Sequence, residues 1–323
     1  MSLKKALYQR LLSPGGGNAR LSTLIFHRVL PAADPLQPDV VDRDRFRALL
    51  ELLASTFHFL PPLEAVERLA RRDLPPGAFT ITFDDGYEDN YTVAQPELAR
   101  AGFSAAYFVA SDYLDGGLMF NDVLIECLRV TKVSKIDLRS LGLDILDMTT
   151  EAMRRKAIST LIGHAKYLSA VERKKFASLI QELSCVAKLP KLMMSSSQLR
   201  ALASAGGTIG GHTASHPILK VLSPDEASRD IESGRDALSK IIEAPILLFA
   251  YPNGQPDVDY DVRHVRMVRD LGFVAAFTTS WGVARCSSDF YQMPRFTPWD
   301  QSAQMFAARM IINSRSDSGV FAS

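Results

Sequence analysis

Phe79-Thr80-Ile81-Thr82-Phe83-Asp84-Asp85-Gly86 alternates threonine with large apolar side chains, then stops at two carboxylates and a glycine. Alternation of this period places the apolar side chains on one buried face of a strand. Gly86 lets the chain turn sharply where the strand ends. Two adjacent acids at such an end repel each other, and partial burial disfavours ionising both. A metal cation is the simplest compensation. An ordinary Asp-Gly turn carrying a second acid is the plain alternative. The rest of the chain decides between them by the ligands it supplies.

On either side of this stretch, strand and helix patterns alternate. Leu21 to Leu30 reads as a strand entering a loop, with Pro31 ending it. Asp42 is placed to cap a helix carrying Phe46, Leu49, Leu50 and Leu53, and a second helix follows Pro61-Pro62. A helix over 90–100, with Pro96 in its early turns, stops at Gly102, and Phe103 to Val109 is the next strand. From about Phe120 to Lys191 the spacing turns helical, with one short strand near Ile136 to Leu138. Ser195 to Ser197 offer an N-cap for a helix through Ala205. Alternation then resumes: strands over 206–211, 246–251 and 273–279, and helices over 223–242, 260–271 and 301–312. Ser223-Pro224-Asp225-Glu226 is a capping box with proline at the first helical position.

Repeated strand-helix alternation predicts parallel βαβ units, and in barrels of such units chemistry gathers at the C-terminal strand ends. His27, Asp84-Asp85, His212 and Tyr251 all fall at or just past such ends. The expected fold class is α/β, a distorted (β/α) barrel. A single domain is expected over 21–313, interrupted by a helical insertion at about 120–195. Residues 1–20 form an N-terminal segment and 314–323 a disordered tail.

The chain has 323 residues, 47% of them hydrophobic and 23% charged, with net charge +1. That composition suits a soluble globular protein and gives no global field for nucleic acid or an acidic membrane. Cys127, Cys185 and Cys286 are far apart and odd in number, against a disulfide framework or a thiolate zinc site. The N-terminus is basic, but Arg10 and then Ser13-Pro14-Gly15 interrupt any signal-like apolar core. A cytoplasmic location is therefore expected. Leu3, Leu7, Leu11 and Leu12 with Lys4, Lys5 and Arg10 suit a short basic amphipathic helix, either docked on the domain, frayed, or in peripheral contact with a membrane. Oligomeric state is left open.

Of six histidines, one pair is closely spaced: His212-Thr213-Ala214-Ser215-His216. Two imidazoles four residues apart on a helical turn or tight loop can converge on one ion. With one carboxylate they make a two-His, one-carboxylate set, typical of catalytic rather than closed structural metal sites. Two surface histidines in a polar loop are the competing reading. The Asp84-Asp85 pair at another strand end tips the balance toward metal.

These residues resemble the polysaccharide deacetylase family, the NodB-homology carbohydrate esterases. Thr82-Phe83-Asp84-Asp85-Gly86 matches its first motif and His212 to His216 its second. Phe249-Ala250-Tyr251-Pro252-Asn253-Gly254 resembles its third. The resemblance covers roughly Leu21 to Ala110 and Leu199 to Pro298. It implies metal-dependent hydrolysis of the N-acetyl group of an N-acetylated amino sugar. Asp84 would be the general base. Asp85, His212 and His216 would hold one divalent metal, zinc first and cobalt, nickel, manganese or iron next. The Tyr251 main-chain N–H would help form an oxyanion hole.

The family's usual C-terminal acid histidine is missing. Phe26-His27-Arg28-Val29 instead resembles the circularly permuted poly-N-acetylglucosamine deacetylase branch, which implies His27 as general acid. Ala250 stands where many members carry an arginine, and Arg295 is the expected substitute from another strand. Asn253 replaces that branch's tyrosine. Asn121, Asp122, Asn253 and Trp281 are the expected substrate contacts. Polymer-, lipid- and nucleotide-linked substrates all stay open. A hydrolase of formamides or other linear amides, and an inactive carbohydrate-binding homologue, remain as alternatives.

Overall fold

The computed structural model describes residues 13–166, 168–298, 302–315 and 320–322. The segment expected to form an amphipathic helix over 3–12 lies outside the described residues. The elements run β1 (Ser22–Phe26), α1 (Arg43–Thr56), β2 (His58–Phe59), α2 (Pro62–Arg71), β3 (Ala78–Phe83), α3 (Gln95–Ala101) and β4 (Ala106–Val109). Then come α4 (Phe120–Val130), β5 (Lys135–Asp137), β6 (Ile145–Asp147), α5 (Glu151–Ala165) and α6 (Ala170–Leu183). The chain continues with α7 (Ser196–Ser204), β7 (Thr208–Gly211), α8 (Pro224–Ile242), β8 (Leu248–Ala250), α9 (Val262–Asp270), β9 (Ala275–Phe277) and α10 (Ala303–Arg315). Among the described residues, no helix is long and apolar enough to cross a membrane.

The chain forms two compact units: 1–32, 41–115 and 194–323 make one, 33–40 and 116–193 the other. In the first, a parallel sheet runs in the order β1-β3-β4-β7-β8-β9, with β2 also paired to β3. Single bridges from Phe277 to Met293 and from Leu24 to Phe296 let segment 293–296 join the two outer strands. The sheet thus curls into a distorted (β/α) barrel.

Period-two alternation sorts each strand. Phe79, Ile81 and Phe83 of β3 pack with α1 residues Phe46, Leu49 and Leu53. Ala78 joins the opposite cluster with Ala106, Phe108, Leu248, Ala250 and Phe277. Full burial of each large β3 side chain contributes about 1.5–3 kcal/mol.

The local signals work as the sequence suggests. Asp42 caps α1 through the N–H groups of Asp44 and Arg45. Ser195 and Ser223 form reciprocal capping boxes with Gln198 and Glu226. Two details differ. The helix expected from Asn90 opens as a π-helical turn, Asn90–Ala94, and α3 begins only at Gln95 with Pro96 in its first turn. The expected tail also contains ordered contacts: Ser314 lies in α10, and buried Ala322 donates its N–H to Gln292 Oε1.

The second unit has its own core, with Leu124, Leu128, Leu161 and Ile180 fully buried. β5 and β6 pair antiparallel, Ile136 opposite Leu146. A three-residue strand gives too little periodicity to be read beside long helices, so β6 escaped the sequence reading. Segment 33–40 joins this unit through Asp34, whose oxygens accept from Arg129 at 2.9 and 2.6 Å.

Candidate active site

The C-terminal ends of β3 and β7 bring together the two motifs that bracket the insertion. Asp84 continues the ladder, its N–H donating to Phe26 O at 2.9 Å. Asp85 then leaves it with a left-handed φ of 76° and Gly86 follows at 93°. A Cβ on Gly86 would meet Val109 Cγ1 at 2.8 Å, so both conformation and space require glycine there. This turn separates two adjacent carboxylates into different surroundings.

Asp84 is met by Arg295, a fully buried side chain. Its Nη1 and Nη2 donate to Oδ1 and Oδ2 at 2.6 and 2.7 Å, a bidentate pair. Arg295 Nε is held by Thr278 O at 2.8 Å, and Nη1 also reaches Thr82 Oγ1 at 3.3 Å. Burial alone would raise the Asp84 carboxyl. The Arg295 charge, helped by His212 and His27, outweighs it and holds the group below the usual carboxylate range.

Asp85 faces the histidines. Its Oδ1 lies 3.5 Å from His212 Nε2 and 3.3 Å from His216 Nε2. The ligand-capable atoms of all three lie within 4.8 Å of one another. His212 Nδ1 meets Ala250 O at 2.7 Å, so Nδ1 carries a proton and Nε2 is the nitrogen that faces Asp85. Burial pushes the Asp85 carboxyl up, but the two imidazoles hold it well below the ordinary range. Oδ1 nonetheless has no hydrogen-bond partner. A buried carboxylate oxygen without a donor, flanked by two imidazoles, fits a divalent cation: hard oxygen and borderline nitrogen in one set. His216 is set by a tight loop rather than a helical turn, with Thr213 and His216 both at positive φ, 64° and 53°.

The polysaccharide deacetylase family profile matches residues 71–276. The chain belongs to the polysaccharide deacetylase family. Its fold is similar to Streptococcus pyogenes deacetylase PplD, solved in complex with acetate. The two share 18% identity over 90% of this chain and 98% of that one, with a TM-score of 0.62. IcaB from Ammonifex degensii aligns at 18% identity over 94% and 98% of the two chains, TM-score 0.58. A de-N-acetylase from Aggregatibacter actinomycetemcomitans aligns at 13% over 89% and 99%, TM-score 0.56. No curated protein sequence matches this chain significantly.

Against this deacetylase framework, Tyr251 departs from its expected role. Its N–H donates to Phe277 O at 3.1 Å, so it is not free for an oxyanion. Its ring stacks on Tyr260 with centroids 3.9 Å apart, and its hydroxyl donates to Tyr291 O at 3.0 Å. Tyr251 packs in the helix-side cluster with Phe249, while Ala250 joins the opposite one. Asn253, two residues on, is exposed at φ 58°, and its N–H meets no acceptor among the described residues.

His27 is exposed just past β1, within electrostatic reach of both Asp84 and Asp85. Trp281 is 45% exposed and packs edge-on against Phe296. Asn121 and Asp122 belong to α4 of the other unit. Asp122 is only 2% exposed, as buried as Asp84.

Sequence reading passed over Asp89 and Asn90. Asn90 Nδ2 donates to His27 O at 2.8 Å, while Asp89 accepts from Arg28 Nε at 2.8 Å and Val29 N at 3.2 Å. Their position just beyond the Asp-Asp-Gly motif was the available signal.

Proposed function

We propose that this deacetylase hydrolyses the N-acetyl group of an N-acetylated amino sugar in a glycan or glycan precursor, with one divalent metal, zinc first. The observation that carries this reading is the convergence of Asp85, His212 and His216 around an unpartnered carboxylate oxygen, beside an Asp84 fixed by buried Arg295.

Asp85, His212 and His216 would hold the ion, which supplies Lewis acidity toward the amide carbonyl and an attacking water. Asp84 accepts the proton that water loses. Each of its oxygens keeps an acceptor position beyond the arginine bonds. The Asn253 N–H, rather than that of Tyr251, donates to the oxygen on which charge develops. His27 gives a proton to the amine as the C–N bond breaks, releasing acetate and the free amino sugar.

The test is acetate release from short N-acetylhexosamine oligomers and a nucleotide-linked N-acetyl sugar, with formamides and simple acetamides beside them. Activity that disappears on metal removal and returns with zinc supports the reading. Turnover of the non-sugar amides alone moves the substrate class, and full activity of the metal-free chain overturns the metal assignment.

A further inference from the structure

Helix α8 contributes no residue to the cluster, yet it shapes the loop that carries His216. Asp230 Oδ1 accepts from the N–H groups of Ala214 and Ser215 at 2.8 and 3.0 Å, and Oδ2 accepts from Ser215 Oγ at 2.6 Å. One turn further on, Gly234 lies against the same loop. A Cβ there would stand 2.5 Å from Thr213 C, 2.6 Å from Thr213 O and 2.7 Å from Ala214 N. These are main-chain atoms and cannot swing aside. Gly234 has no other local reason to be glycine: it sits inside a regular helix, where alanine is favoured.

The loop needs such support. Thr213 and His216 both hold left-handed backbone, and Thr213 Oγ1 accepts the His216 N–H at 3.0 Å. From the other side Asp112 N donates to Ala214 O at 3.0 Å and Tyr113 Oη to Ser215 O at 3.1 Å. These contacts leave the 214 and 215 N–H groups to Asp230.

We propose that Asp230 and Gly234 are positioning residues for the candidate metal centre, acting together to seat the 213–216 loop and aim His216 at Asp85. The proposal rests on reading Asp85, His212 and His216 as ligands. Partners bonded directly to a ligating side chain change metal affinity by about 10–100-fold, and contacts that seat the ligand's loop are expected at the lower end of that range.

The test measures zinc affinity of the full chain by competition with a chromophoric chelator, beside melting of the metal-free chain. Asp230→Ala and Gly234→Ala are compared with His216→Ala and with Glu232→Ala, an exposed neighbour on the same helix. The expected result is an affinity loss of about tenfold or more for Asp230→Ala and Gly234→Ala, a metal-free melting point within a few degrees of wild type for Asp230→Ala and a lower but still cooperative one for Gly234→Ala, and kcat recovered at excess zinc. Glu232→Ala keeps wild-type affinity. Should Gly234→Ala fail to fold, Asp230→Ala carries the criterion, and Asp230→Asn, whose amide oxygen still accepts both N–H groups, should recover most of the affinity. If His216→Ala loses zinc while the α8 variants stay within twofold of wild type, the positioning role falls and the ligand reading stands. If wild type and His216→Ala hold zinc equally, both fall.

Discussion

Two places in the molecule use the same parts, one arginine and two carboxylates, to different ends. In the insertion, Arg129 donates to Asp34 at 2.9 and 2.6 Å and to Glu126 at 3.1 and 3.0 Å. Both acids share one cation, and the arginine is 29% exposed, so water completes the neutralisation. In the barrel, Arg295 is fully buried and gives both terminal nitrogens to Asp84. Asp85 receives no arginine, only two imidazoles at 3.5 and 3.3 Å and an unpartnered Oδ1. A saturated group stabilises a fold. An unsaturated one at a strand end keeps capacity for a ligand. The difference is one of allocation, not composition, and variants of each group test it.

The largest effect is expected at the two barrel acids. Asp84→Asn should lower kcat by about 10²–10⁴-fold, the usual contribution of a general base, while zinc affinity stays at wild type. Asp85→Asn should lose zinc itself. If the two variants behave alike in chelator competition, the division of labour between neighbours is wrong. His27→Ala should lower kcat by about 10²-fold or more without loss of zinc, and an unchanged kcat assigns the acid elsewhere.

Next is Arg295→Met. It leaves Asp84 as a buried, uncompensated charge and should cost about 3–5 kcal/mol in denaturant unfolding. Its pH signature has a definite sign. In wild type the Asp84 pKa is depressed, so its stabilisation is present above the unfolded carboxylate pKa and is lost only as pH falls through the lower folded value. Without the arginine, burial dominates and the acid limb of kcat/KM moves to higher pH. An unmoved limb would mean that Arg295 does not set the charge state of Asp84.

How much of this was legible depends on the range of each interaction. The Asp-Asp-Gly strand end, the paired histidines and the capping boxes at Ser195 and Ser223 are local patterns, and local geometry enforces them. Tyr251 shows where locality misleads. It stands beside the proline of a matching motif, but period two turns it to the helix side, and the ladder continues one residue past β8 to take its N–H. The pairing of Arg295 with Asp84 joins residues 211 positions apart. Only closure of the sheet by segment 293–296 makes it. Gly234 was invisible for a similar reason: a glycine inside a helix reads as a weak spot until the loop pressed against it is known.

The insertion's group should respond less than the barrel's. Arg129→Met leaves two partly hydrated carboxylates and should cost no more than about 3 kcal/mol, with zinc affinity unchanged. The smallest effect expected is the acid dependence that this arginine creates. Burial opposes ionisation of Asp34, yet hydrogen bonds from Arg129, Leu36 N and Gln37 hold its carboxyl at about 2 instead of 3.8. The folded value is depressed, so the contribution is complete above the unfolded pKa and fades as pH falls from about 4 toward 2, about 1 kcal/mol in all once solvent screening is allowed for. Unfolding free energy measured across that window should therefore decline more steeply in wild type than in Arg129→Met. Parallel curves for the two would show that Asp34 titrates normally, and the contrast between a saturated and an unsaturated arginine group would lose its saturated half.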